Sequence, residues 1–114
     1  MDQLKSLFVD DPWLTQILLG NKLVEGRKGP KSKYEEWIGK DVIFYNNSIK
    51  ILVHVEAVRH YNTLYDYLNF EGLEKVAPHI TTGYDAVVDA YHKFGSDEEI
   101  GHGGGFNSIV IKLY

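Results

Sequence analysis

Three side chains able to perform acid–base or anion-binding chemistry, Lys22, Glu25 and Arg27, lie in the stretch GNKLVEGR, residues 20–27. Arg27 offers a planar fork that suits a phosphate, a carboxylate or the edge of a nucleobase. Lys22 is a compact cation whose pKa would fall if it were desolvated beside another cation, which would make it a base. Glu25 could orient Arg27 or accept a hydrogen bond from the exocyclic amine of a base.

The same stretch begins a basic segment in an acidic chain. Residues 22–33 hold five basic side chains and one acidic one, a charge of +5 − 1 = +4, whereas the whole chain carries −4. The remaining 102 residues (114 − 12) therefore carry −8 (−4 − 4). A segment that opposes the sign of the rest indicates a place where an anion could be held. Lys28, Lys31 and Lys33 could follow a phosphate backbone, or they could only keep a Gly/Pro loop soluble.

The backbone geometry decides whether the three charged groups can meet. On a regular strand Glu25 and Arg27 share a face, while Lys22 points to the other. They converge if Lys22 lies in a turn after Gly20, or if a bulge redirects the chain near Gly26. The alternative is an ion pair at the surface end of a strand, which contributes little to stability.

Aromatic residues follow the basic segment and have two interpretations. Tyr34, Trp37 and Tyr45 could offer a stacking face for a base. They could equally belong to the core, where aromatic side chains bury a large apolar area.

Other chemistries have little support in the composition. The chain has no Cys, which excludes disulfides, thiolate metal sites and a cysteine nucleophile. The histidines show no metal-ligand spacing, there is no P-loop, and HGGG at 102–105 lacks the G-x-S-x-G motif of a lipase. We predict no metal and no cofactor. Without an apolar run of about 18 residues or a secretory signal, we expect no membrane partner and a cytoplasmic or otherwise intracellular location.

The elements that would position these residues indicate one domain over residues 1–114. Asp11 is predicted to cap a first helix, with Pro12 at its first position and Gly20 at its end. A short strand over 22–27, a loop over 28–33 and a strand over 42–45 follow, and Asn46 to Ser48 form a hairpin turn.

The second half contains the clearest strand of the sequence. Ile49, Ile51, Val53, Val55 and Ala57 alternate with their neighbours and should share one face. Short helices are predicted over 63–69 and 71–76. A longer helix should run from a Thr82 cap to about residue 94, with Asp85 as the capping-box partner. A mobile loop over 96–105 and a strand over 106–113 complete the chain. The order predicts an α+β fold, a small open β-barrel with flanking helices.

The spacing Gly-x-Lys-x-x-Glu-x-Arg, starting at Gly20, resembles the signature of the ASCH superfamily, whose fold is a β-barrel similar to the PUA domain. The similarity extends to the Gly-Lys-Asp turn at 39–41 and to LEKVAPHITTGYDAVVDAYHKF at 73–94. It implies a cleft that binds RNA or a nucleotide-like ligand. The ligand-binding residues would be Gly20, Lys22, Glu25, Arg27, Lys28, Lys33 and Tyr45.

The same resemblance implies an alternative function as a small hydrolase. Some members are amidohydrolases that cleave N4-acetylcytidine with a Lys, a Thr and a Glu, and others have been credited with ribonuclease activity. Their Lys corresponds to Lys22, their Thr falls at Glu25, and their Glu corresponds to Glu71 or Glu74. If the protein is an enzyme, Lys22, Glu25 and Glu74 would be its catalytic residues.

Three functions are therefore open: a binding module, a small hydrolase, and an adaptor that retains the fold without a ligand. The expected partners are RNA, as a short single strand, or a modified nucleoside. The charge of −8 outside the basic segment disfavours broad binding to duplex nucleic acid.

Overall fold

The computed structural model describes residues 4–114 and has one five-stranded sheet of order β1-β3-β4-β5-β2. The strands are Lys5–Phe8 (β1), Val24–Lys28 (β2), Asp41–Tyr45 (β3), Lys50–Tyr61 (β4) and Phe106–Leu113 (β5). The helices are Trp13–Leu18 (α1), Leu64–Glu71 (α2), Leu73–Val76 (α3), Tyr84–His92 (α4) and Asp97–His102 (α5). Short 3-10 helices occupy Lys31–Lys33 and Glu35–Trp37. The sheet curves into a half-barrel flanked by helices, which confirms the predicted α+β open barrel.

The half-barrel leaves its two edge strands, β1 and β2, on either side of an opening. β1 runs parallel to β3, whereas the other three strand pairings are antiparallel. Arg27 on β2 donates a hydrogen bond from Nη2 to the backbone oxygen of Phe8 on β1. A side chain therefore links the two edges at a point where no strand joins them.

The long strand β4 departs from the predicted alternation. Val53 and Val55 are buried as expected, but the register with β5 shifts between Val55 and Ala57. Beyond the shift Val58 is buried and Ala57 is partly exposed, so the predicted inward position of Ala57 is wrong. An extra residue in one strand of a pair reverses the faces that follow, and sequence alternation alone does not reveal it.

The first helix begins one residue later than predicted, with Pro12 instead of Asp11 at its N-cap position, but the Asp11 carboxylate still accepts from the first turn. Oδ1 of Asp11 accepts hydrogen bonds from the Thr15 amide at 2.9 Å and the Thr15 hydroxyl at 2.8 Å. Gly20 follows the helix with φ +80°, which confirms the predicted left-handed ending. The helix buries Leu14 and Ile17 against the core, whereas Leu18 at its end is exposed.

Three other predictions are corrected by the structure. Strand β1 was not predicted, because KSLF lacks a diagnostic alternation. The residue before α4 is Gly83, without a side-chain cap, so the predicted Thr82–Asp85 capping box is absent. Residues 96–105, predicted as a mobile loop, contain α5, whose capping box joins Ser96 and Glu99. The glycines that follow α5 are typical of a loop, and the short helix was therefore not predicted from composition.

The interior of the half-barrel is filled by aromatic residues from the helices and β5. The fully buried Tyr67 of α2 shares a 2.9 Å hydrogen bond between hydroxyls with Tyr91 of α4, and its ring centroid is 4.6 Å from that of Phe106. These rings pack beneath β2, at the floor of the opening between β1 and β2.

Two predictions about the chain as a whole concern residues at its start. Residues 1–3 lie outside the described residues, although they enter the predicted domain over 1–114 and the predicted lack of a secretory signal. Within residues 4–114, no helix combines the length and the apolar character needed to cross a membrane.

Candidate functional site

The opening between β1 and β2 leads into a cleft of about 350 Å³. Phe8 and Val9 lie on one side, and residues 25–28 of β2 lie on the other. The aromatic lining comes from four elements and two loops along the chain: Phe8, Trp13, Tyr34, Tyr91, Phe94 and Phe106. The charged lining is Asp10, Glu25, Arg27, Lys28 and Lys33. The cleft therefore combines apolar walls with a small group of charges.

Lys22 lies behind the cleft with its side chain fully buried. Its Nζ donates hydrogen bonds to the backbone oxygens of Val24 at 2.5 Å and Val76 at 2.6 Å, and lies 3.7 Å from Oε1 of Glu25. Burial lowers the pKa of Lys22 to about 8, although the nearby Glu25 carboxylate opposes the shift. Lys22 lies before the first residue of β2. The alternation of side chains along a strand therefore does not apply to it, and its ammonium can lie on the same side as the Glu25 carboxylate.

Glu25 joins the buried ammonium to the cleft. Glu25 is 5 % exposed, and its Oε1 accepts a hydrogen bond from the Gly26 amide at 3.1 Å. Its Oε2 lies 3.2 Å from Nη2 of Arg27, the same nitrogen that contacts Phe8. The three charged groups thus form a row of cation, carboxylate and cation running from the core to the cleft.

Gly26 allows the three charged groups to lie against the aromatic rings at the floor of the cleft. A Cβ at this position would approach Phe106 Cε1 and the Tyr67 hydroxyl, each at 2.6 Å. Because β2 pairs with β5 in unbroken register from Val24 to Lys28, the bulge considered near Gly26 is absent from this pair. The glycine is needed for close packing against the strand.

Two predicted lysines stand at the rim of the cleft. Nζ of Lys33 is 5.5 Å from the ring centroid of Tyr34, which is buried and lines the cleft. Nζ of Lys28 is 3.8 Å from Oε2 of Glu99 on α5. Lys31 is exposed in the same 3-10 helix as Lys33 and stands apart from the cleft lining.

The other aromatic candidates support the cleft from outside. The Tyr45 ring packs edge-on against Phe8 with centroids 5.6 Å apart. Trp37 is buried and packs against Tyr34 at 5.1 Å between ring centroids. Gly20 lies in the turn after α1 and is not among the residues that line the cleft.

The two candidate acids of the second half are separated from the cleft lining. Glu74 is exposed on α3. Glu71 is buried at the end of α2, where it accepts hydrogen bonds from Arg59 Nε at 2.7 Å, Arg59 Nη2 at 2.6 Å and the Tyr61 hydroxyl at 2.6 Å. Burial opposes ionisation of Glu71, but these hydrogen bonds outweigh it and hold its pKa below the ordinary value.

Several cleft residues were not predicted as ligand contacts. They are the aromatic residues Phe8, Trp13, Tyr91, Phe94 and Phe106, none of which carried a site signal in the sequence. Their common feature is an aromatic ring near an element end, which a single sequence cannot distinguish from ordinary core. Among residues 4–114, no three or more His, Asp or Glu side chains are grouped so that they could hold a metal ion.

The model of the ASCH domain matches residues 7–100 of the chain. The chain belongs to the ASCH domain family. Two solved structures resemble this ASCH domain over almost its whole length. The crystal structure of hypothetical protein PH0355 has a TM-score of 0.83 at 23 % identity, covering 98 % of this chain and 100 % of that one. The solution NMR structure of Protein PF0455 from Pyrococcus furiosus has a TM-score of 0.74 at 25 % identity, covering 97 % of each chain.

No curated protein matches this ASCH domain. The likeness to PH0355 covers 98 % of this chain and shows the fold, a half-barrel sheet with flanking helices.

Proposed function

We propose that this ASCH domain binds a nucleotide-like ligand, either a modified nucleoside or a short single strand of RNA, in the cleft beside Glu25 and Arg27. The observation that carries the proposal is the combination of aromatic walls, a buried carboxylate and rim cations in one concave site. Its volume of about 350 Å³ falls in the range of small-molecule sites, roughly 300–1,000 Å³.

The inner part of the cleft suits a nucleobase. Aromatic rings offer apolar surface to a flat heterocycle. Glu25 presents carboxylate oxygens, which accept hydrogen bonds from amine or ring N–H donors of a base. Arg27 is partly exposed and provides N–H donors for ring nitrogen or carbonyl acceptors. A ligand with both donors and acceptors along one edge would therefore complement this pair.

The rim suits the anionic part of such a ligand. Lys28 and Lys33 both line the cleft, at the edge where a phosphate or a strand backbone would leave it. The rest of the chain is acidic, with −8 outside residues 22–33 (−4 − 4). A small anion or a short strand can reach the two lysines, whereas a long duplex would meet repulsion beyond them.

The proposal is tested by calorimetric titration with nucleosides, their 5′-monophosphates, N4-acetylcytidine and short single-stranded RNA. Lys33→Ala should weaken binding of the phosphate-bearing ligands several-fold and reduce the salt dependence of RNA binding. Lys31→Ala is the matched control, because it removes the same charge from the same turn outside the cleft. Equal losses in the two variants, or an Arg27→Ala variant with unchanged affinity for every ligand, would reject the proposal.

A second candidate function is hydrolysis of an acylated nucleoside or of RNA. The observation in its favour is the buried Lys22, whose pKa is lowered to about 8, within 3.7 Å of Glu25. A group with a pKa near neutrality can exchange protons efficiently during turnover. Glu25 would contact the substrate, and Lys22 behind it would act as the proton donor or acceptor.

Turnover of N4-acetylcytidine and of a labelled RNA by the wild type, Glu25→Gln and Lys22→Met tests the hydrolytic candidate. Glu74→Gln tests the resemblance-based assignment separately, since Glu74 lies exposed on α3. Loss of turnover in the first two variants would support hydrolysis at this cleft. The same residual turnover in all four proteins would indicate a contaminant and reject it.

A further inference from the structure

The ammonium of Lys28 is engaged by an acidic residue of α5. Its Nζ lies 3.8 Å from Oε2 of Glu99, and the two side chains are 48 % and 64 % exposed. The lysine chain passes beside Gly95, where a Cβ would lie 3.3 Å from both Cδ and Nζ. Gly95 therefore leaves the space along which Lys28 reaches Glu99.

Glu99 occupies a defined position on α5. Its Oε1 completes the capping box with Ser96, which leaves Oε2 directed to Lys28. The next residue, Ile100, is buried and lines the cleft. The carboxylate of Glu99 thus lies at the rim, on an element that forms part of the cleft wall.

The other two acids in the first turn of α5 have different partners. Asp97 accepts hydrogen bonds from the Tyr65 hydroxyl at 2.7 Å and pairs with His92 at 2.9 Å. Glu98 lies 3.8 Å from His102. Of the three, Glu99 is the one that faces a lysine of the cleft.

We propose that Lys28, together with Lys33 at the rim, binds a ligand phosphate and that Glu99 is a built-in competitor for the Lys28 ammonium. The inference rests on the proposed function and deepens it, because it assigns the ligand a phosphate group at a stated side chain. The Glu99 carboxylate holds the Lys28 ammonium until a ligand phosphate replaces it. A phosphate carries more charge than a carboxylate, and an exposed ion pair such as this one is weak enough to be exchanged.

Glu99 would therefore set the preference of the cleft for phosphate-bearing ligands. Removing its charge should raise the affinity for a 5′-monophosphate by about twofold to fivefold at low ionic strength, as expected for an exposed ion pair. The gain should shrink as salt is added, because both groups are exposed to solvent. A nucleoside without phosphate should bind equally well with or without the Glu99 charge.

The test compares Glu99→Gln with Glu98→Gln. Glutamine at the third helical position still serves a capping box, so E99Q keeps the start of α5 while losing the charge. E98Q makes the same charge change at the neighbouring exposed position, away from Lys28. Each protein is titrated with inorganic phosphate, cytidine 5′-monophosphate and cytidine, at low and at moderate salt.

The expected result is tighter binding of phosphate and cytidine 5′-monophosphate by E99Q alone, with cytidine unchanged. The gain should vanish in the double variant Lys28→Met with E99Q. If E99Q and E98Q bind cytidine 5′-monophosphate with the same affinity as the wild type, the role of Glu99 is rejected while the proposed nucleotide binding is retained. An E99Q gain for inorganic phosphate without binding of any nucleotide or RNA supports the subsite and rejects the nucleotide proposal. An equal gain for cytidine, or no binding of any probe to wild type or E99Q, overturns the inference.

Discussion

Nζ of the fully buried Lys22 lies 3.7 Å from Oε1 of Glu25, whose other oxygen faces Arg27 at 3.2 Å. The buried ammonium balances the carboxylate from behind, and the guanidinium balances it from the cleft. Glu25 can therefore remain almost buried at the base of an apolar cleft, where an unpaired carboxylate would be costly. Lys22 acts in this arrangement as the residue that positions Glu25.

The buried ammonium should give the protein a distinctive pH dependence of stability. The pKa of Lys22 is lowered to about 8 by burial, against 10.5 for an ordinary lysine, so above pH 8 the unfolded chain binds more protons than the folded one. Stability from this group must then rise with pH until about 10.5. The free energy of unfolding of wild type relative to Lys22→Met should increase by about 2 kcal/mol between pH 7 and 9.5. Urea denaturation at the two pH values measures it, and parallel pH profiles of the two proteins would contradict it.

Gly26→Ala should destabilise the protein. The new methyl group would meet Tyr67 and Phe106 at 2.6 Å, and both rings are packed in the core. Overpacking of this kind costs about 1–3 kcal/mol. Gly101→Ala is the control, because a Cβ there meets nothing within 4 Å and the helical site favours alanine. Thermal denaturation of the two variants compares them, and similar melting temperatures would refute the prediction.

The ion pair of Arg59 with Glu71 should stabilise the fold in a pH-dependent manner. Arg59→Met removes the two hydrogen bonds that the guanidinium donates to the buried Glu71 carboxylate, at a cost of about 1–3 kcal/mol. Since the pKa of Glu71 is lowered in the folded protein, the contribution is present near neutrality and is lost as the pH falls through that pKa. Unfolding at pH 7 and pH 3 measures the change, with Lys112→Met, exposed on β5, as the control. A deficit of the same size at both pH values would argue against the pair.

Ligand binding should change the fluorescence of Trp13 and leave that of Trp37 unchanged. Trp13 lines the cleft, whereas Trp37 is buried behind Tyr34. Stacking of a base or a change in polarity at the cleft wall would alter the emission of the first residue. In Trp37→Phe the ligand-dependent signal should persist, and in Trp13→Phe it should disappear. A signal that follows Trp37 would place the ligand outside this cleft.

Short-range features of the sequence were sufficient to predict several elements of the structure. Alternating apolar residues specified the closing strand over 106–113, and the glycine after the first helix specified its left-handed end. The opposed charge of residues 22–33 indicated the segment that supplies Glu25, Arg27, Lys28 and Lys33 to the cleft. These features depend on neighbours in the chain, so a single sequence contains the information.

The tertiary structure decided what depends on distant contacts. The shifted register at Val55, the edge strand β1, and the burial of Lys22 against the Val76 carbonyl each arise from segments far apart in sequence. The same is true of the pairing of Lys28 on β2 with Glu99 on α5. By itself the sequence determined the charges, the turns and the α+β class, because those are properties of short stretches. Which charges are buried, paired or open to a ligand was decided by packing, because burial and distance exist only after the sheet has curved and the helices have closed upon it.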